Sequence, residues 1–118
     1  MDKNFVTKME ATLIGLKQKI FENLAKEDEE FKEIFEDHDP KDLADIAASD
    51  VGRNTLEALE AQEVKRLNLI DSALARIKNG KYGVCMSCGN KIPKERLEAI
   101  PYALLCIECK ASEERKSR

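Results

Sequence analysis

Tyr82-Gly83-Val84-Cys85-Met86-Ser87-Cys88-Gly89 and Cys106-Ile107-Glu108-Cys109-Lys110 decide how this chain folds. Each stretch carries a Cys-x-x-Cys pair, and 17 residues (89–105) separate the two pairs. That interval falls within the range of four-thiolate zinc sites. Zinc takes a tetrahedron of soft ligands, and a two-residue spacer lets both sulfurs of a pair converge on one ion. Four protein ligands close the coordination sphere, so the metal has no open position for water or substrate. One structural Zn²⁺ on Cys85, Cys88, Cys106 and Cys109 is therefore expected. The same four residues also allow two disulfides or a pair of redox dithiols. Nothing else in the sequence points to an oxidoreductase.

Composition places this module on something elongated. Charged residues reach 36%, aromatics only 5%, and tryptophan is absent, a mix typical of long helices held by a narrow apolar seam. No apolar run is long enough for a membrane span, and no secretory signal follows Met1-Asp2-Lys3. A cytoplasmic location is expected, where paired cysteines more often bind metal than oxidise.

Two amphipathic stretches precede the cysteines. Phe5, Met9, Leu13, Leu16, Ile20, Leu24, Phe31 and Ile34 recur mainly at steps of three and four, predicting one long helix from Asn4 to about Asp37. Gly15 is a local weak point in it. Pro40 interrupts the pattern, and Asp39 or Asp42 is placed to cap a following helix; with Asp39 as the cap, Pro40 falls at its first position. A second helical pattern runs from about Lys41 to Lys78 through Ile46, Val51, Leu56, Leu59, Leu67, Ile70, Leu74 and Ile77. Gly52 and Ala61-Gln62-Glu63 soften it, and Asn79-Gly80 ends it with a left-handed glycine cap.

The predicted fold is mainly α: a long antiparallel coiled-coil hairpin over residues 1–79, then a small four-cysteine zinc-finger module with a C-terminal helix over 80–118. At 1.5 Å per residue the arms are expected to reach roughly 50 Å, with the turn near 37–44 remote from the cysteines. Residues 26–50 hold eleven acids against Lys26, Lys32 and Lys41, a local charge of −8, so the turn is electronegative. Such a block opposes direct grip on a nucleic-acid backbone, and no sequence-specific DNA binding is expected. Asp39 and Asp42 at the turn suit helix capping, Mg²⁺ coordination or pairing with a partner's cations.

The order of features is long helix, Asp39-Pro40-x-Asp42-x-Ala44 turn, long helix, then Tyr82-Gly83-x-Cys85-x-x-Cys88-Gly89. It continues through Ile92-Pro93-x-x-Arg96-Leu97-x-Ala99-x-Pro101 to Cys106-x-x-Cys109-Lys110. This order resembles the DksA/TraR family of C4-type zinc-finger transcription factors over nearly the whole chain. The resemblance implies a bacterial, non-enzymatic regulator, expected to be monomeric, that binds RNA polymerase without contacting promoter DNA. Its coiled coil enters the secondary channel, where the tip residues, here Asp39, Asp42 and Ala44, modulate initiation.

Members often act with guanosine tetraphosphate, and Lys110 matches one of the cations that hold it. Leu69 and Ile100 stand at two further positions where the best-known members carry Lys and Arg, so a weakened or altered alarmone dependence is expected. Two other readings share the sequence features. One is a Gre-like stimulator of transcript cleavage using the acidic tip. The other is a zinc-ribbon adaptor for another protein.

Overall fold

The computed structural model describes residues 2–37 and 43–116, apart from the side chain of Ala44. The expected mainly helical fold is observed, with a helical hairpin, a cysteine module and a C-terminal helix. Seven helices are described: α1 (Lys3–Glu27), α2 (Glu29–Asp37), α3 (Leu43–Ala48), α4 (Asp50–Glu57), α5 (Ala61–Lys78), α6 (Lys94–Ala99) and α7 (Ile107–Lys116). The only β pairing among the described residues is an isolated antiparallel bridge, Val84 to Lys91. The chain forms two compact units, Ile14–Leu67 and Met1–Leu13 with Asn68–Arg118.

Both predicted long helices are interrupted. The first changes at Asp28, whose carboxylate accepts a hydrogen bond from the Phe31 backbone N–H at 3.1 Å and so caps α2. The other carboxylate oxygen accepts from the Thr55 hydroxyl at 3.2 Å, tying this junction to α4. A residue read as one more acid on a solvated face is therefore a two-sided connector.

The second stretch breaks twice. Ser49 has extended backbone angles, accepts from the Gly52 N–H at 3.0 Å and donates to the Ile46 carbonyl at 2.7 Å. It thus ends α3 and caps α4 with one hydroxyl. Gly52 is buried, and a Cβ there would lie 1.9 Å from the Ile46 carbonyl oxygen. The soft point of the sequence reading is a position where the backbone of α3 comes too close for any side chain. Past α4, the Leu59 N–H bonds to Leu56 O at 3.2 Å, and α5 restarts with Glu63 and Val64 both donating to Glu60 O.

The Ile14–Leu67 unit buries Ile20, Leu24, Phe31, Leu43 and Ile46. Phe21, outside the predicted stripe, is fully buried and packs edge-to-face on Phe31 with ring centroids 5.7 Å apart. In the other unit, Phe5, Met9 and Leu13 of α1 are buried, as are Ile70 and Ala73 of α5. The end of α5 follows the expected cap. Gly80 has φ 72°, its N–H bonds to Ile77 O at 3.1 Å, and the Lys81 N–H reaches Arg76 O at 2.8 Å. That paired bonding is the Schellman arrangement.

Candidate metal centre

The first cysteine pair sits on a tight backbone knuckle. Gly83 and Gly89 take positive φ values of 83° and 78°, which only glycine adopts without strain. Between them the Cys85 N–H bonds to Asn90 O at 2.8 Å, and the Gly89 N–H returns to Cys85 O at 3.0 Å. The Ile92 N–H to Gly83 O bond, 2.7 Å, closes the loop beneath them. The second pair opens α7: the Lys110 N–H donates to Cys106 O at 2.9 Å, so Cys106 lies just before the helix and Cys109 in its first turn. Thiolates there face the positive end of the helix dipole.

These two supports bring the four sulfurs together. All four Sγ atoms lie within 4.8 Å of one another, and Cys88 Sγ is 3.9 Å from Cys106 Sγ. Zn–S bonds of ~2.3 Å in a tetrahedron separate the sulfurs by about 3.8 Å. All four cysteines are free thiols, and the donor set and spacing fit one closed, structural Zn²⁺ site. Cys85 is buried, Cys106 and Cys109 half-buried and Cys88 exposed, so the centre lies at the surface of its module.

The thiols are electrostatically unequal. Burial opposes ionisation of Cys85, but backbone hydrogen bonds at Cys88, Cys106 and Ser87 outweigh it and bring its pKa down to about 6. Hydrogen bonding with the Cys106 and Cys85 side chains holds the proton on Cys109, raising its pKa to about 12. Four thiols this close do not all ionise until a cation shares their charge. A bound zinc ion supplies that charge and leaves no vacant position, so the centre organises the fold.

Three side chains brace the module. The Arg76 guanidinium donates to Val84 O at 2.7 Å, fastening the end of α5 to the first knuckle. Arg96 Nε donates to Leu105 O at 3.0 Å, beside the second pair. The buried Tyr82 hydroxyl donates to Pro101 O at 2.8 Å, and burial raises its pKa to about 12. Tyr82, Arg96 and Pro101 stood in the sequence motif without assigned tasks, and Arg76 was not singled out. Its signal was only its place in the last helical turn before the glycine stop.

The other expected site residues fare differently. Asp39 and Asp42 lie outside the described residues, as does the side chain of Ala44, whose backbone belongs to α3. Lys110 is half-buried in α7, Leu69 half-buried on α5, and Ile100 exposed at the end of α6.

Residues 80–115 match the family model described as the prokaryotic dksA/traR C4-type zinc finger. An uncharacterized protein of Aquifex aeolicus is 35% identical over 118 residues, covering 99% of this chain and 81% of its own length. The RNA polymerase-binding transcription factor DksA of Caulobacter vibrioides is 38% identical over 77 residues, 65% of this chain but 54% of that protein. The chain therefore spans about half the length of that curated relative. Among solved structures, transcription factor DksA2 from Pseudomonas aeruginosa superposes with a TM-score of 0.67 at 32% identity, covering 100% of this chain and 89% of its own.

Proposed function

Since the chain belongs to the DksA/TraR family of C4-type zinc-finger proteins, we propose that it is a regulator of transcription that acts by binding RNA polymerase. The observation that carries this reading is the likeness to Pseudomonas DksA2 over the whole chain, arms as well as cysteine module. A match confined to the zinc centre would have suited any zinc-ribbon adaptor equally well.

In this proposal the hairpin enters the secondary channel of the polymerase, and the turn near 37–44 acts on the catalytic region. Asp39 and Asp42 present carboxylates to bound Mg²⁺ or basic polymerase groups, and Ala44 keeps the adjoining helical turn slim. The protein modulates initiation without catalysing a reaction of its own and without reading promoter sequence. The −8 charge of residues 26–50 supports the second point, since that stretch repels a phosphate backbone. Lys110 offers a cation to guanosine tetraphosphate, but Leu69 and Ile100 supply none, so the alarmone contributes less than in relatives with three cations.

The test is retention on immobilised core polymerase, followed by transcription from a ribosomal promoter with and without guanosine tetraphosphate. Asp42→Asn is expected to bind polymerase and lose most of the effect on transcription. Failure of the native protein to bind polymerase overturns the reading. Full activity of the variant overturns the role given to the tip.

A further inference from the structure

The unit that holds the zinc centre also carries a groove outside that centre. Its walls are the first turns of α1, the end of α5 and the segments around residues 82–84 and 91–94. Half-buried Val6, Ile77 and Val84 with buried Ile92 form the apolar floor. Lys3, Lys91 and Lys94 are exposed along the rim, and among the described residues no carboxylate lines the groove. Lys94 Nζ is held 5.2 Å from the Phe5 ring centroid, and Lys91 is fixed at the bridge to Val84. Gly80 presents bare backbone, where an added Cβ would meet nothing within 4 Å. The volume is about 680 Å³, the scale of a small-molecule site.

We infer that this groove binds a small amphiphilic anion: an apolar body on the Val6–Ile77–Val84–Ile92 floor, with a carboxylate or similar headgroup among Lys3, Lys91 and Lys94. Two features select this chemistry. Three exposed lysines border one groove with no acid among its described lining residues, which attracts negative charge. The floor beneath them gains only from covering apolar surface, which a purely ionic ligand does not supply. A concave site of this size suits a free small molecule better than a membrane surface. The site uses none of Leu69, Ile100, Lys110 or the cysteines, and it stands or falls independently of polymerase binding.

Amide NMR of the full zinc-loaded chain tests it with octanoate as the probe. Titration is expected to shift the amides around Val6, Gly80, Gly83 and Lys91 in a saturable manner. Inorganic phosphate and octan-1-ol, each bearing half of the chemistry, are expected to bind the same amides at least about threefold more weakly, the scale of an exposed charge contact. The double variant Lys3→Gln, Lys91→Gln is expected to weaken octanoate by at least about threefold while keeping the native spectrum elsewhere. Absent or scattered shifts overturn the proposal. So does equal binding of octan-1-ol or phosphate, or an unchanged affinity in the double variant.

Discussion

The two units contain grooves of the same volume, about 680 Å³, and opposite charge. In the Ile14–Leu67 unit the groove is lined by Glu27, Asp28, Glu30, Glu60 and Glu63 and, among the described residues, by no Lys or Arg. In the zinc-bearing unit the described lining holds three lysines and no acid. A net charge of −3 therefore describes neither region. The units also differ in what holds them. The first rests on apolar packing and helix caps. The second adds glycine turns, short backbone bonds and four sulfurs to an apolar core of its own. Perturbations should consequently stay local in kind, and four experiments test that division.

Metal removal has the largest expected effect. Structural zinc in small finger modules is worth about 10–16 kcal/mol at neutral pH, so a strong chelator or Cys85→Ala should unfold residues 80–110. The amides of Cys85, Met86 and Ile92 should lose hydrogen-exchange protection, whereas those of α2 and α4 keep theirs. Collapse of both units together would break the comparison. The pH dependence has a definite sign. Cys109, at about 12, must release its proton when zinc binds, so affinity rises with pH near neutrality. Cys85, lowered to about 6, is a ready thiolate above that value and is protonated below it, so acid weakens the site further.

The legibility of the sequence divides along the same line. The zinc centre, the Gly80 cap and the C-terminal helix are legible because they are set by cysteine spacing, by a φ that glycine alone tolerates and by local pattern. The second stretch carries soft points beside its breaks, Gly52 and Ala61-Gln62-Glu63, but no glycine or proline marks Asp28 or residues 58–60 themselves. At Asp28 the signal is tertiary: a carboxylate inside an acidic run becomes a cap and takes a bond from Thr55, 27 residues away. Burial of Phe21 and Ala73, one position off the apolar stripes, likewise depends on what packs beside them. Asp39 and Asp42 stand out in the acidic turn, but their tip role rests on the resemblance and is a proposal for polymerase assays.

The next effect belongs to the unit without metal. Gly52→Ala places a methyl 1.9 Å from the Ile46 carbonyl oxygen, a backbone atom with no rotamer to yield. The expected loss is about 1–3 kcal/mol, as for an overpacked core, and it exceeds the ~1 kcal/mol that alanine gains over glycine in a helix. Urea unfolding monitored by the α2–α4 amides reads it, with zinc affinity unchanged. A stabilised variant would show that α3 and α4 do not approach closely.

Tyr82→Phe makes the corresponding cut in the zinc unit. It removes the 2.8 Å bond to Pro101 O and should cost about 1–1.5 kcal/mol without expelling zinc. The native tyrosine also gives this unit an alkaline limit. Its pKa, raised from 10.0 to about 12 by burial, favours the neutral hydroxyl in the folded state. The associated stability is complete below pH 10 and is lost as pH rises towards 12. Chemical denaturation across that range should show the decline in the native protein and not in the phenylalanine variant.

Gly15→Ala is the smallest change and reverses the sign. Gly15 lies inside α1, exposed, and an added Cβ meets nothing within 4 Å. Alanine there restricts the unfolded chain and suits the helix, so stability should rise by about 0.4–1 kcal/mol. By pattern alone Gly15 and Gly52 read alike, each a weak point in an amphipathic helix. One substitution at the two sites thus separates intrinsic helix propensity from close packing: a gain at Gly15 with a loss at Gly52 isolates the Ile46 carbonyl as the cause. Losses at both would mean that α1 also has a close neighbour at Gly15, and the distinction between these glycines would disappear.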